Sequence, residues 1–483
     1  MKKMLEEERK KLDQLDGEIK KLLLERYDVS RSIGVYKYAN GIDIYDAKRE
    51  EEIFAKLCGG LDGTRGEYIK EIYSSVLSAS KKAQKPRYGL LTGHSKGSLS
   101  PFIHGLLGNP DYLIYKVAPE NIERFARSGI NGFNVTMPYK TDVMRYLDVI
   151  SDEARSVGSV NAVKNVKNVL YGCNTDVYGL ADALDRAGMD ISGKKVCILG
   201  SGGASKAAQY VCRTRNASFV VVSRTNGVTY ADTEKYADSD FLINCTPVGM
   251  GKGCSDTPIG LDVFTCLKGV FDVIYTPYVT KLVYDARKKG INAENGLYML
   301  LSQAVRTHEF FTDTVVGKEK TEEIYSRLLS LRPAALVGMP GCGKTTVASR
   351  CGLPYADTDE LIERKTGRKC ASIITEDGEK AFRKLETEVL CELSASAPSV
   401  VSLGGGTLTD EKSEFLVNSN FRTVWIKRSL EKLASDCRPL SVNIEKLYEQ
   451  RKPLYESSDY AIDNDGSVED AVKELEKALS IKP

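Results

Sequence analysis

Lys195-Val-Cys-Ile-Leu-Gly-Ser-Gly-Gly-Ala-Ser-Lys-Ala207 and Ala334-Ala-Leu-Val-Gly-Met-Pro-Gly-Cys-Gly-Lys-Thr345 share one design. Each is a short apolar run, which reads as a buried strand, followed by a glycine-rich turn and the opening of a helix. Such a turn brings backbone N–H groups close to phosphate, and the helix N-terminus favours negative charge. The two turns differ in what they cradle. Gly200, Gly202, Gly203 and Ala204 have the form of a dinucleotide turn. Gly338 to Thr345 fits G-x-x-x-x-G-K-T in full, so Gly338, Gly341, Gly343, Lys344, Thr345 and Thr346 are expected at ATP, with the Thr345 hydroxyl on Mg²⁺. A chain with both reads as an oxidoreductase joined to a kinase.

Composition fits that reading. With 483 residues there is room for two to four domains. A net charge of +2 leaves no basic field for nucleic acid. No apolar run reaches the roughly 18 residues of a membrane span, and the N-terminus reads as charged helix without an apolar signal core. The 12 cysteines are scattered without a C-x-x-C pair, which points to reduced thiols in the cytoplasm. Three histidines, His94, His104 and His308, leave little for histidine-based metal or triad chemistry.

Three regions follow along the chain. Residues 1–85 read as all-helical. Residues 88–314 alternate short apolar runs with turns and helices, an α/β pattern. Within them, about 88–188 plus 291–314 form a substrate part and about 189–290 a dinucleotide part. Residues 315–332 read as a polar, helix-prone linker, and 333–483 as an α/β P-loop domain. Lys85-Pro86-Arg87 marks the first joint, since proline disfavours helix at the residue before it.

In the first region Leu5, Leu12, Ile19, Arg26 and Ile33 are spaced by seven, as are Leu15, Leu22, Val29 and Tyr36. That is a two-row seam on one long helix, with a cation in an apolar row. A helix over about 5–38 is on the order of 50 Å long, too long for a compact monomer of this size, so it is expected to pack on a second copy. Arg9 lies about 25 Å along the axis from Arg26 and could reach only the partner's site in an antiparallel dimer. Pattern alone leaves a plain dimerisation stalk open. Asp46, Arg49 and Glu50 share a face on a second helix, and Ser80 and Gln84 on a third. Together these resemble the all-helical chorismate mutase family. The resemblance places Arg9, Arg26, Lys37 and Arg49 at its cationic positions and Asp46, Glu50, Ser80 and Gln84 at its polar ones. Chorismate rearranges without proton transfer, so cations need only hold its carboxylates, with Lys37 and Gln84 donating to the ether oxygen.

The second region carries Asn131-Gly-Phe-Asn134-Val-Thr136-Met-Pro-Tyr-Lys140, Gly172-Cys-Asn174-Thr175-Asp176 and Ser98-Leu-Ser100-Pro101. Val157-Gly-Ser-Val-Asn161, Asn244-Cys-Thr246-Pro-Val-Gly249, Tyr275-Thr-Pro277 and Gly296-Leu-Tyr-Met299 follow in order, through to Gln303. Together they resemble shikimate dehydrogenase. That resemblance implies Ser98, Ser100, Thr136, Lys140, Asn161, Asp176, Tyr275 and Gln303 on the substrate, with Lys140 and Asp176 the catalytic pair. A lysine charged at neutral pH can give the ring ketone of 3-dehydroshikimate its proton. The second strand leads to Ser223-Arg224-Thr225, where arginine suits a 2′-phosphate, hence NADP rather than NAD. Thr246 and Gly296 are implied at the same cofactor. Quinate remains an alternative substrate.

The third region adds Asp357-Thr-Asp359, Glu379-Lys-Ala-Phe382-Arg383-Lys-Leu-Glu386, Leu403-Gly404-Gly405-Gly406, Arg438-Pro-Leu440 and Arg451-Lys-Pro-Leu-Tyr455. These resemble shikimate kinase. By that resemblance Arg383 and Arg451 hold the shikimate carboxylate, and Gly404, Gly405 and Gly406 admit the ring. Asp359 accepts the hydroxyl proton, Asp357 sits near Mg²⁺, and Arg438 on the lid meets the transferring phosphoryl group. The expectation is a trifunctional, dimeric, cytoplasmic enzyme of aromatic biosynthesis. The rival is a dehydrogenase–kinase with a helical dimerisation module.

Overall fold

The computed structural model describes residues 2–40, 42–85, 87–93, 98–224, 227–396, 399–434 and 444–480. They form two compact units, 1–178 with 303–316, and 179–302 with 317–483.

The first unit opens with the helix Lys2–Ala39, followed by Ala47–Cys58 and Gly63–Gln84. Asp46 and Asp62 cap the last two by accepting from Arg49 N and Arg65 N, the usual work of an aspartate at such a position. The first and third helices pack together. Gly34 makes this possible: a Cβ there would lie 2.5 Å from the Gln84 carbonyl oxygen. Little else is covered. Leu77 is the buried apolar residue of the third helix, and the second has none. The heptad rows Leu5, Leu12, Leu15, Ile19, Leu22, Val29, Ile33 and Tyr36 are between 44% and 63% exposed.

The same unit contains a six-stranded sheet in the order Tyr112–Lys116, Tyr88–Thr92, Gly132–Val135, Ala162–Val166, Val169–Cys173, Val149–Ile150. The first three strands are parallel, and Ala162–Val166 runs against its neighbours on both sides. Its core is Leu91, Tyr115, Ile122, Phe125, Phe133, Val143, Val163 and Leu170, against which Val35 and Tyr38 of the first helix pack.

The second unit holds two parallel sheets. One runs Asn292–Glu294, Gly269–Asp272, Phe241–Asn244, Lys195–Leu199, Ser218–Val222. Numbered by chain order that is 5-4-3-1-2, which puts the reversal of strand order beside Lys195–Leu199 and therefore at the glycine turn that follows it. The other sheet runs Tyr355–Asp357, Val400–Ser402, Ala334–Val337, Arg422–Lys427, Tyr460–Asp463. Its first strand is central and feeds the P-loop.

The stretch read as a polar linker contains the helix Lys318–Leu329, with Thr321, Ile324, Tyr325 and Leu328 buried. Arg186 lies 4.6 Å from the Tyr298 ring centre and 4.5 Å from that of Tyr325, and pairs with Glu322 at 2.5 Å. Apolar residues of both parallel sheets merge into one core. Val279 N donates to Asn420 Oδ1 at 2.9 Å, and Tyr284 packs on Phe415 at 4.5 Å between ring centres. Within this packing Cys254 and Cys391, 137 residues apart, form a disulfide. Their thiols were expected to be reduced. No local motif announces the pair, because packing alone brings their Cα atoms to 5.8 Å. Nine other cysteines are free among the described residues.

Candidate active sites

The dehydrogenase-like substrate site is built at strand ends. Thr136 and Lys140 follow Gly132–Val135, Asn161 precedes Ala162–Val166, and Asp176 follows Val169–Cys173 and opens the helix Asp176–Arg186. Lys140 Nζ donates to Asp176 Oδ2 at 2.6 Å. The side chains are 22% and 13% exposed, so the pair borders solvent without being immersed in it. Asn161 Nδ2 donates to the other carboxylate oxygen at 2.9 Å and to Thr175 Oγ1 at 3.0 Å, while Asn161 Oδ1 accepts from Thr175 N at 2.7 Å. Asn134 donates to the Asn161 carbonyl and to Thr307, and accepts from Tyr112. Asp176 is thus held from behind by a buried amide network and presents its remaining edge to Lys140. Thr175 Oγ1 also lies 3.5 Å from Gln303 Oε1. Ser98 Oγ donates to Ser100 Oγ at 3.1 Å. Thr175 and Thr307 had no assigned role. Thr307 lies 132 residues from the threonine it meets, and no local spacing could announce it. Tyr275 belongs to the second unit, where burial raises its hydroxyl pKa.

At the dinucleotide turn Gly200 has φ +98, and a Cβ would lie 3.2 Å from the Cys245 carbonyl oxygen and from Thr246 Cγ2. Gly202 caps the helix Gly203–Thr214, whose second residue is Ala204. Ser223 is buried and Arg224 exposed just past Ser218–Val222; Thr225 lies outside the described residues. Thr246 donates to Asn244 Oδ1, and Asn244 Nδ2 donates to the buried carboxylate of Asp272 at 3.0 Å. Burial raises Asp272 to about 6. Thr280 and Ile274 N also donate to it, which fixes the ends of two strands together. Gly296 has a packing reason of its own, since a side chain there would run into the Val273 carbonyl.

In the helical region Arg26 Nη1 meets Ser80 Oγ, so the first and third helices bring one predicted pair together. Lys37 donates to the Ile44 carbonyl at 2.8 Å and lines a groove of about 510 Å³ with Asp28, Val29, Ile33, Tyr36 and Ile42. Gln84 Oε1 is buried without a partner. Glu50 pairs with Lys81 at 2.8 Å, and the exposed Arg49 pairs with Glu52 at 3.1 Å. Arg9 is exposed near the start of the first helix.

The P-loop domain places its polar residues at the C-terminal ends of its five strands, where open parallel sheets bind ligands. Thr345 Oγ1 donates to Asp357 Oδ2 at 2.6 Å and lies 3.1 Å from Ser402 Oγ. These three oxygens, one of them charged, could hold Mg²⁺. Lys344 is buried and donates to the carbonyls of Gly338 and Met339 at 3.0 and 2.9 Å. Asp357 also accepts from Asp359 N, which anchors the next carboxylate. Asp359 Oδ1 is buried without a partner. Its pKa is raised to about 6, chiefly by burial and then by Asp357 and Glu386.

Arg383 and Arg451 converge. A Cβ on Gly406 would lie 3.2 Å from Arg451 Nη2 and would overlap Arg383 Nη2. Arg451 Nη1 and Tyr455 OH both donate to the Gly405 carbonyl, at 2.8 and 2.6 Å. Gly405 faces Pro340 of the P-loop, and Gly404 faces Asp359 and Glu386. Arg383 is aimed by Glu386, a fully buried carboxylate 2.7 Å away, and by Glu379 at 3.0 Å. Burial opposes the charge on Arg383, but these ion pairs raise its pKa nonetheless. Glu386 stands in a quoted motif without an assigned role; its i,i+3 spacing from Arg383 was the available signal. Arg438 lies outside the described residues.

Family models match in three places: chorismate mutase type II over 8–85, the shikimate dehydrogenase substrate binding domain over 94–163, and shikimate kinase over 340–480. The chain is 38% identical over 258 residues to the shikimate dehydrogenase (NADP(+)) of Caldanaerobacter subterraneus subsp. tengcongensis, covering 46% of this chain and 92% of that protein. The chain belongs to the shikimate dehydrogenase family. The corresponding protein of Clostridium beijerinckii is 34% identical over 260 residues, covering 50% and 96%. Among solved structures, a chorismate mutase/shikimate 5-dehydrogenase fusion from Clostridium acetobutylicum aligns at 31% identity and TM-score 0.48, covering 50% of this chain and 97% of that one. The chain therefore joins a chorismate mutase domain and a shikimate kinase domain to its shikimate dehydrogenase, three activities of the shikimate pathway. No helix among the described residues is long and apolar enough to cross a membrane.

Proposed function

We propose that the residues assembled above carry these three reactions. The dehydrogenase reduces 3-dehydroshikimate to shikimate, the kinase forms shikimate 3-phosphate, and the mutase turns chorismate into prephenate. The observation that carries the reading is the Lys140–Asp176 pair, locked from behind by Asn161.

NADPH, when bound on the Gly200–Gly203 turn with Arg224 toward its 2′-phosphate, supplies the hydride. Lys140 gives a proton to the carbonyl oxygen, and Asp176 holds the ammonium in place and accepts from a neighbouring hydroxyl. Ser98, Ser100, Thr136, Tyr275 and Gln303 hold the rest of the ring. In the kinase Arg383 and Arg451 clamp the shikimate carboxylate beside Gly406, and Asp359 takes the hydroxyl proton. Lys344 and the P-loop hold the triphosphate, and Thr345 with Asp357 would hold Mg²⁺, which supplies charge neutralisation. Arg438 is assigned to the lid. In the mutase Arg26, Lys37 and Arg49 grip the carboxylates, with Arg9 coming from a second copy.

The exposed heptad rows support a homodimer through the first helix, since apolar surface of that extent seeks a partner. A cytoplasmic location is proposed with the pathway. Purified protein given 3-dehydroshikimate, NADPH and Mg·ATP should accumulate shikimate 3-phosphate. Arg26→Ala should abolish prephenate formation and leave the other two rates intact; if prephenate still forms, the helical residues are misassigned. Light scattering at micromolar concentration should give twice the chain mass.

A further inference from the structure

The cradle of the kinase is shaped from outside as well as from its own motif. Arg428 Nη1 donates to the Gly341 carbonyl at 2.8 Å, and Asn464 Nδ2 to the Cys342 carbonyl at 2.8 Å. Both residues stand just past the ends of adjacent parallel strands, Arg422–Lys427 and Tyr460–Asp463. The two ends are tied together: Asn464 N donates to the Lys427 carbonyl, and Ser429 N to Asp465 Oδ1, each at 2.9 Å. Asn464 is 7% exposed. Gly343, at φ +95, leaves room for it, since a Cβ there would overlap the Asn464 amide nitrogen.

In a planar trans peptide the C=O and N–H point opposite ways. A donor that holds the Cys342 carbonyl therefore turns the Gly343 N–H to the other side. Likewise the Gly341 carbonyl, held by Arg428, turns the Cys342 N–H toward the Met339 carbonyl, to which it donates at 3.2 Å. Lys344 holds the Gly338 and Met339 carbonyls. Side-chain donors thus take the carbonyls at 338, 339, 341 and 342. Lys344 would leave its two on meeting phosphate, whereas Arg428 and Asn464 approach from the neighbouring strands and have no such reason to let go.

We infer that Arg428 and Asn464 are positioning residues of this kinase. Asn464 aims the Gly343 N–H into the cradle, and Arg428 fixes the Gly341 carbonyl and with it the turn from Met339 to Cys342 that shapes the cradle, before the triphosphate arrives. The role differs from the motif's own contacts, because neither residue need touch the nucleotide. Pre-aimed donors bind without a reorganisation cost.

The test uses the full-length chain and compares Mg·ADP binding by calorimetry with the KM values for ATP and shikimate. Losing a hydrogen bond to a charged or buried donor is worth roughly tenfold or more, so Arg428→Ala and Asn464→Ala should each weaken Mg·ADP and raise the KM for ATP by about that factor. The KM for shikimate should stay within about twofold, since its arginines lie elsewhere in the site. Arg428→Gln keeps an N–H donor and should recover most of the affinity. Mg·ADP binding unchanged in both alanine variants overturns the inference. So does an Arg428→Gln protein as weak as Arg428→Ala, which would mean that charge rather than aim is what matters. The dehydrogenase rate of the same preparation reports folding, and because the two residues are tested separately, collapse of one variant leaves the other decisive.

Discussion

Asp359 is an acid kept where water is scarce, and its burial has two consequences of opposite sign. In the role proposed for it, acceptor of the shikimate hydroxyl proton, it must be ionised, and with a pKa of about 6 instead of its ordinary 3.8 it is so at neutral pH. The kinase rate should therefore fall as pH drops through about 6, read from a pH profile of phosphoryl transfer with the reductive step as control. For stability, a raised pKa in the folded state favours the protonated form. The contribution is fully present below the ordinary value and is lost as pH rises through the folded one. At pH 7.5 the charged carboxylate is a cost. Asp359→Asn should abolish most phosphorylation, by about 10²–10⁴, while raising the unfolding temperature at that pH. A lowered unfolding temperature would mean that the charge is compensated by something other than substrate. Lys140 calls for a simpler experiment. Lys140→Met should cut reduction by about 10²–10⁴ and spare phosphorylation of added shikimate.

The loop Leu403-Gly404-Gly405-Gly406 and the P-loop illustrate what is legible along a chain and what is not. Eight consecutive residues announce the P-loop, because its geometry is local and each glycine answers a positive φ at 338, 341 and 343. The glycines at 404–406 are equally visible, but the reason for them is not. Gly406 is small because two guanidinium groups, from helices Glu379–Ser396 and Ile444–Glu456, come to its side. Gly406→Ala should push Arg383 and Arg451 apart and raise the KM for shikimate at least about tenfold, with the KM for ATP little changed. Equal effects on both would mean that the loop supports the domain rather than the acceptor. Arg428 and Asn464 lie 87 and 122 residues beyond the carbonyls they hold. No spacing rule reaches that far; only the strand order, which puts Ala334–Val337 beside Arg422–Lys427, brings them back. Glu386 falls between these cases, near in sequence to Arg383 but buried for reasons of packing.

For the molecule as a whole, three modules were readable because each repeats a spacing of polar residues that packing does not require. The heptad rows of the first helix were also plain, and they lie exposed along it. What could not be read is how the dehydrogenase cofactor lobe and the kinase share a core, and with it the bond between Cys254 and Cys391. That bond closes a covalent ring through the helix Lys318–Leu329 and the whole of the P-loop. A ring can be cut once and stay in one piece. A protease that nicks the chain between residues 255 and 390 should leave a single full-length band on a non-reducing gel, which dithiothreitol resolves into two fragments. Separation without reductant would show the thiols to be apart.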